Sequence, residues 1–209
     1  MKKTIVYMLI AIIGNALGTA LMQQTDIGMT AWGSSALNTS NYLGVSLGNG
    51  FIILSVFFYI VAIIIAKKFV LKDMLLSALF LFCFAYLTDV FLLFVPEFIS
   101  LPYIIRILIN VVGLLILLFS IAVHLNVNLA VHPMDVFLKE VQLKLKSIAI
   151  GTYVSYFLGF MIGIVFGLLH GSIEGIGVGT IITLVTSGLV MKFYNDRILH
   201  KWDFERQTK

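Results

Sequence analysis

Asp89 lies in Tyr86-Leu87-Thr88-Asp89-Val90, inside a long apolar run, and Asp135 closes the string His132-Pro133-Met134-Asp135. An ionisable side chain in hydrocarbon costs about 2.5–3.5 kcal/mol on insertion scales, so each of these residues needs a reason. Asp89 reads either as a proton or cation site facing a bundle interior, or as a carboxylate solvated near the end of its run. Asp135 also has two readings. Pro133 suits the first turn of a helix, where its missing N–H would be unpaired anyway, and an acid two residues later complements the helix dipole. Alternatively, His132 and Asp135 form a polar site where a half-helix begins within a membrane.

Trp32 poses a similar choice. Tryptophan anchors chains at membrane interfaces, but it can equally form the aromatic wall of a pocket, with Thr30, Ser34 and Ser35 as hydrogen-bonding groups. If the segments around Trp32 and Asp135 both re-enter a bilayer, their helix N-termini approach each other. Free N–H groups there would favour an anionic solute. Asn15, Gln23, Asn110, His124, Asn126 and Asn128 read as interhelical hydrogen-bond partners.

Other chemistry finds no constellation. His124 and His132 lack further residues to complete a metal or haem ligand set, and Cys83 is the only cysteine. Gly175-x-Gly177-x-Gly179 lacks the Lys and Ser/Thr of a phosphate loop, and His-Glu-x-x-His is absent. Gly33-Ser34-Ser35 lacks the following glycine of a rhomboid-like serine motif. Asn38-Thr39-Ser40 matches a glycosylation acceptor pattern. No catalytic residue, cofactor or metal is expected.

The elements that must position these residues follow from composition. Of 209 residues, 60% are hydrophobic and only 11% charged, against about 25% charged in an ordinary soluble domain. The formal charge of +4 is not gathered on a polar face, which argues against nucleic acid as a partner. A helix needs about 20 apolar residues to cross the hydrocarbon. Six segments qualify: Thr4–Met22, Leu47–Ala66, Met74–Val95, Tyr103–Leu125, Ile150–His170 and about Glu174–Tyr194. Their runs are continuous, where barrel strands would alternate. The expected fold is therefore all-α: a polytopic membrane bundle of about six transmembrane helices, forming one transmembrane domain over 1–209.

Basic residues set the expected orientation. With a cytoplasmic N-terminus, Lys2, Lys3, Lys67, Lys68, Lys72, Lys139, Lys144, Lys146, Lys192, Arg197, Lys201, Arg206 and Lys209 all lie inside, 13 of the 14 Lys and Arg, leaving only Arg106. That is the positive-inside bias. It predicts a multi-pass cell-membrane protein with both termini cytoplasmic and a tail over 195–209. Met1-Lys2-Lys3 leads into a first span with no small-residue cleavage site after it.

Two stretches break the pattern. Gln23–Ser46 is polar and Gly-rich without Lys or Arg. Asn126–Ala149 begins polar and turns amphipathic, with Met134, Phe137, Leu138 and Val141 on one helical face. Each follows the first span of a three-span half. The halves, about 4–95 and 103–194, read as two repeats, inverted because three spans is an odd number. Inverted repeats with broken or re-entrant segments are a transporter architecture with the solute site at the repeat interface.

In these strings the chain resembles the YczE/YyaS/YitT-type family of bacterial integral membrane proteins. The family's Gly-x-x-Pro-Trp-Asp-like motif has its counterpart in Gly28-Met29-Thr30-Ala31-Trp32-Gly33, without the Pro and Asp. The second half keeps Pro133 and Asp135 around Met134. Val45-Ser46-Leu47-Gly48 and Gly177-Val178-Gly179-Thr180 match the family's helix-opening strings, and Asp89 looks like its intramembrane acid. The resemblance implies a multi-pass bacterial cell-membrane protein and names no substrate.

The expected function is a small-solute transporter or permease, its partners being the lipid bilayer and an unidentified small-molecule solute. The alternatives are a substrate-capturing membrane subunit of a multi-component importer, or a non-transporting accessory protein. Thr30, Trp32, Ser34, Ser35, Asp89, His132 and Asp135 are the candidate substrate-binding residues. Gly14/Gly18 and Gly159/Gly163/Gly167 form small-residue stripes, which serve close packing within one chain or a homodimer seam.

Overall fold

Local capping chemistry fixes where each helix starts and stops. The computed structural model describes residues 2–127 and 131–201, and these form eight α-helices and no strand. α1 runs Lys2–Gln24, α2 Ala31–Leu43, α3 Leu47–Ala66 and α4 Leu71–Phe94. The second set is α5 Tyr103–Val127, α6 Pro133–Lys144, α7 Ile148–His170 and α8 Val178–Phe193. Thr30 Oγ1 accepts from Gly33 N at 2.9 Å to open α2. Gly44, in the left-handed region at φ 67°, closes it. Ser46 and Ser147 open α3 and α7 by accepting from Asn49 N and Ile150 N. α4 stops at the Val95-Pro96 step, where the residue before proline is pushed out of the helical region.

Five helices, α1, α3, α4, α5 and α7, are long and apolar enough to cross a membrane. The sixth expected span is shorter than the apolar run suggested. α8 has 16 residues, about 24 Å of helix, and continues through a π-turn over Tyr194–Ile198 and a 3-10 turn over Leu199–Lys201. Glu174 to Gly177 precede the helix instead, where the Glu174 backbone bonds the Asn38 side chain of α2 and Gly175 O accepts from Met29 N. Asn128, Met1, Arg206, Lys209 and the tail beyond 201 lie outside the described residues.

The outer surface is a belt of large apolar side chains, including Leu93 at 82% exposure, Phe94 at 78% and Leu189 at 67%. Such a surface suits lipid and not water. The interior mixes an apolar core with many polar side chains. Ser34, Ser35, Asn38, Ser55, Thr88, Asn110, His124, Thr152, Thr180, Thr183 and Ser187 are all fully buried. The chain is a multi-pass membrane protein.

Packing is shared evenly between the two sets of four helices. α1 lies along α5, α2 along α7 and α3 along α6; α1 also meets α4, and α5 meets α8. Each pairing has its counterpart when α1–α4 are exchanged for α5–α8. Glycines permit the closest of these contacts. A methyl added at Gly18 would sit 2.6 Å from Gly113 O on α5. On α7, Gly159 faces the Trp32 ring, Gly163 faces Ser34 and Ser35, and Gly167 faces Asn38. Both small-residue stripes are thus occupied by helices of the same chain.

Arg106, the one basic residue outside the cationic flanks, has a structural task. Its Nε donates to Thr25 O at 2.7 Å and its Nη2 to Asp26 O at 2.8 Å. Asn110 holds the same turn, donating to Thr25 Oγ1 at 2.9 Å and Gly28 O at 2.8 Å.

Candidate functional site

The two short helices begin at mid-height of the long ones. Trp32, on the first turn of α2, packs on Gly159, the twelfth of the 23 residues of α7. From there α2 runs alongside the second half of α7, through Gly163 to Gly167. Phe137 of α6 packs on Phe58 of α3 at 4.9 Å between ring centroids, again near the middle of the long helix. Trp32 stands edge-on to both, 4.6 Å from Phe58 and 6.2 Å from Phe137. An aromatic junction therefore joins the starts of α2 and α6. Trp32 is 7% exposed and lies inside the bundle.

A buried polar cluster lies beside that junction. His124 Nε2 of α5 stands 3.0 Å from Asp135 Oδ2 of α6, with no side-chain exposure for the histidine and 10% for the aspartate. The contact has ion-pair distance but not hydrogen-bond geometry, and His124 Nδ1 and His132 Nε2 have no hydrogen-bond partner. His132 caps α6, its Nδ1 accepting from Met134 N at 3.3 Å. Phe80 and Phe84 of α4 face the two imidazoles edge-on, at 4.9 Å for Phe80–His124 and 5.0 Å for Phe84–His132. Tyr156 of α7 is buried within electrostatic reach of Asp135.

The other sequence candidates divide. Ser34 and Ser35 hydroxyls both donate to Ala31 O, and Ser35 also donates to Gly159 O, so both are engaged in the α2–α7 seam. Thr30 is engaged as the α2 cap. Asp89 lies apart from the cluster. Its Oδ2 accepts from Ser46 Oγ at 2.7 Å and its Oδ1 from Gly48 N at 2.9 Å, which ties α4 to the start of α3. The cradle of free N–H groups that would have favoured an anion is not formed at α6. Pro133 contributes no N–H there, His132 accepts from Met134 N, and Asp135 places a carboxylate in the first turn.

A cavity of about 300 Å³ opens between α3, α4 and α6. Tyr59, Lys68, Lys72, Asp73, Lys139 and Glu140 line it, and Val131 and Val136 bring its wall next to His132 and Asp135. The matching place between α7, α8 and α2 is closed. Asn38 Nδ2 donates to Glu174 O at 2.7 Å, Glu174 N donates to Asn38 Oδ1 at 2.9 Å, and Asn41 Nδ2 donates to Glu174 Oε2 at 2.9 Å. Below this clasp, Met29 N donates to Gly175 O and Gly179 N to Ile27 O, each at 2.8 Å. The cavity thus lies at the Ala66 end of α3, and the Glu174 bonds lie toward its Leu47 end.

A family model of unknown function, DUF6198, matches residues 1–196. The chain belongs to this family. DUF6198 thus takes in all eight helices, with the aromatic junction, the His124–Asp135 pair and both ends of the bundle. No curated protein and no solved structure matches the chain.

Proposed function

We propose that this DUF6198 chain is a small-solute transporter of the bacterial cell membrane, standing with its solute cavity open to the cytoplasm. The observation that carries the reading is the asymmetry between the two ends. A cavity of about 300 Å³ lies between α3, α4 and α6, the lower end of the range for small-molecule pockets, while hydrogen bonds to Glu174 close its counterpart. Exchange of the packing pairs between the two helix sets supports inverted repeats, and α2 and α6 are their re-entrant half-helices. Rocking one set against the other would open the Glu174 end and shut the cavity. The positive-inside bias places Lys68, Lys72 and Lys139, hence the open end, in the cytoplasm. The YczE/YyaS/YitT-type strings agree with a bacterial cell-membrane protein.

The test is a thermal-shift screen of detergent-purified protein against metabolite pools, followed by flux of each hit into proteoliposomes. A ligand of the folded state raises apparent stability by mass action. Ala66→Trp, which fills the cavity, is expected to abolish both the shift and the flux. Binding without flux would favour a substrate-capturing subunit that needs a partner. Neither binding nor flux would favour an accessory protein.

A further inference from the structure

Two titratable side chains face each other inside the bundle at 3.0 Å, neither on the lipid surface nor among the cationic flanks. A buried titratable pair of this kind is weak evidence for stability, since replacing a buried ion pair with apolar residues is often neutral or stabilising. In membrane spans such pairs mark proton relays. We propose that His124 and Asp135 form a proton-binding site that exchanges one proton with the cytoplasm through the cavity beside α6. The inference deepens the transport reading by naming the coupling ion, and it rests on that reading only for the direction of access.

The geometry orders the step. Asp135 keeps a tenth of its side-chain surface exposed and His124 none, so Asp135 meets water first. Its neighbours Val131 and Val136 line the cavity. A proton from cavity water binds Asp135 Oδ2. The O–H bond then breaks as an N–H bond forms on His124 Nε2, leaving carboxylate and imidazolium. The pair is neutral with this proton and carries one negative charge without it. His124 Nε2 has no other hydrogen-bond partner, and His132, whose Nδ1 accepts from Met134 N, carries its own proton on Nε2 and does not compete for this one there.

Few other groups can take that proton. Tyr156 of α7 and His132 are the remaining titratable residues of the cluster. α4 presents the rings of Phe80 and Phe84 to the imidazoles. α3 contributes Phe58 beside Phe137. Tyr7 on α1 and Tyr194 after α8 border the core around α5. The charges nearest the route are the cavity residues Lys68, Lys72, Asp73, Lys139 and Glu140.

The test uses the full chain in proteoliposomes adsorbed on a solid-supported membrane, with the proton as the only probe. A jump from about pH 8 to about pH 5 is expected to give a transient current that scales with protein. Asp135→Asn should reduce it to the level of empty liposomes. Asp89→Asn, outside the cluster, should retain it. His124→Gln is the second variant, expected to lose the current while eluting as a monodisperse peak. No current from the wild-type chain, or an undiminished current in either cluster variant, overturns the proposal. The readout needs no solute, so a failed solute screen leaves it standing, and solute flux without proton current would refute it alone.

Discussion

Replacing Gly18 with alanine should loosen the α1–α5 seam, although alanine is the better helix former. The added methyl would lie 2.6 Å from Gly113 O, 2.8 Å from Leu117 Cβ and 2.9 Å from Leu117 N. An ordinary C···O contact is about 3.3 Å or more, so the helices must part by roughly 0.7 Å at this level. Two of the three obstacles are backbone and cannot rotate away. Overpacking of this kind costs about 1–3 kcal/mol, and the backbone obstruction puts Gly18 near the upper end. Alanine returns about 1 kcal/mol of helix propensity, leaving a net loss of roughly 2 kcal/mol. Gly188 is the control. Its added methyl would meet nothing closer than the Tyr153 ring at 3.5 Å, so Gly188→Ala should gain up to about 1 kcal/mol. Thermal or denaturant unfolding in detergent, followed by circular dichroism, reads both. Equal stability of the two variants, or a stabilised Gly18→Ala, would refute the packing argument.

Further outcomes follow from the same contacts. Asn38→Ala removes both bonds to the Glu174 backbone and should lower stability by about 2–3 kcal/mol at about 1–1.5 per bond; limited proteolysis should then cut the loop between α7 and α8 faster. Asp89→Ala should cost about 0.5–2 kcal/mol, the range for a lost helix cap, and leave ligand binding at the cavity unchanged; a loss of binding with intact folding would return Asp89 to the site. Asn110→Leu leaves Thr25 and Gly28 without their amide donor and should destabilise by about 1–3 kcal/mol, as measured by the unfolding midpoint.

Much of the fold was legible because hydrocarbon imposes one requirement on every span. The long apolar runs became α1, α3, α4, α5 and α7, and Pro133 opened α6 with Met134, Phe137 and Leu138 inward. α8 was read too long. The hydropathy of this segment says nothing of the backbone pairing of Gly175 with Met29 and of Gly179 with Ile27, which needs the chain folded. The site was half legible. His132 and Asp135 stood out as polar residues in a greasy setting, but His124 looked like one more interhelical hydrogen-bonder. Its pairing with Asp135 joins two separate helices, a contact that the periodicity of either helix does not encode. The Asn38–Glu174 clasp left only a glycosylation-like string at one partner and a presumed span end at the other. Asp89 was conspicuous by chemistry, yet its carboxylate caps α3.

Cysteine accessibility in oriented vesicles tests the open-inward account most directly. Cys83, the only cysteine, is first replaced by serine. Ala66→Cys in the cavity and Thr39→Cys, buried on α2 next to the clasp residue Asn38, are then exposed to a membrane-impermeant thiol reagent. The account predicts labelling of Ala66→Cys in inside-out vesicles alone and protection of Thr39→Cys in both orientations. Labelling of Ala66→Cys from outside the cell, or of Thr39→Cys ahead of it, would contradict it.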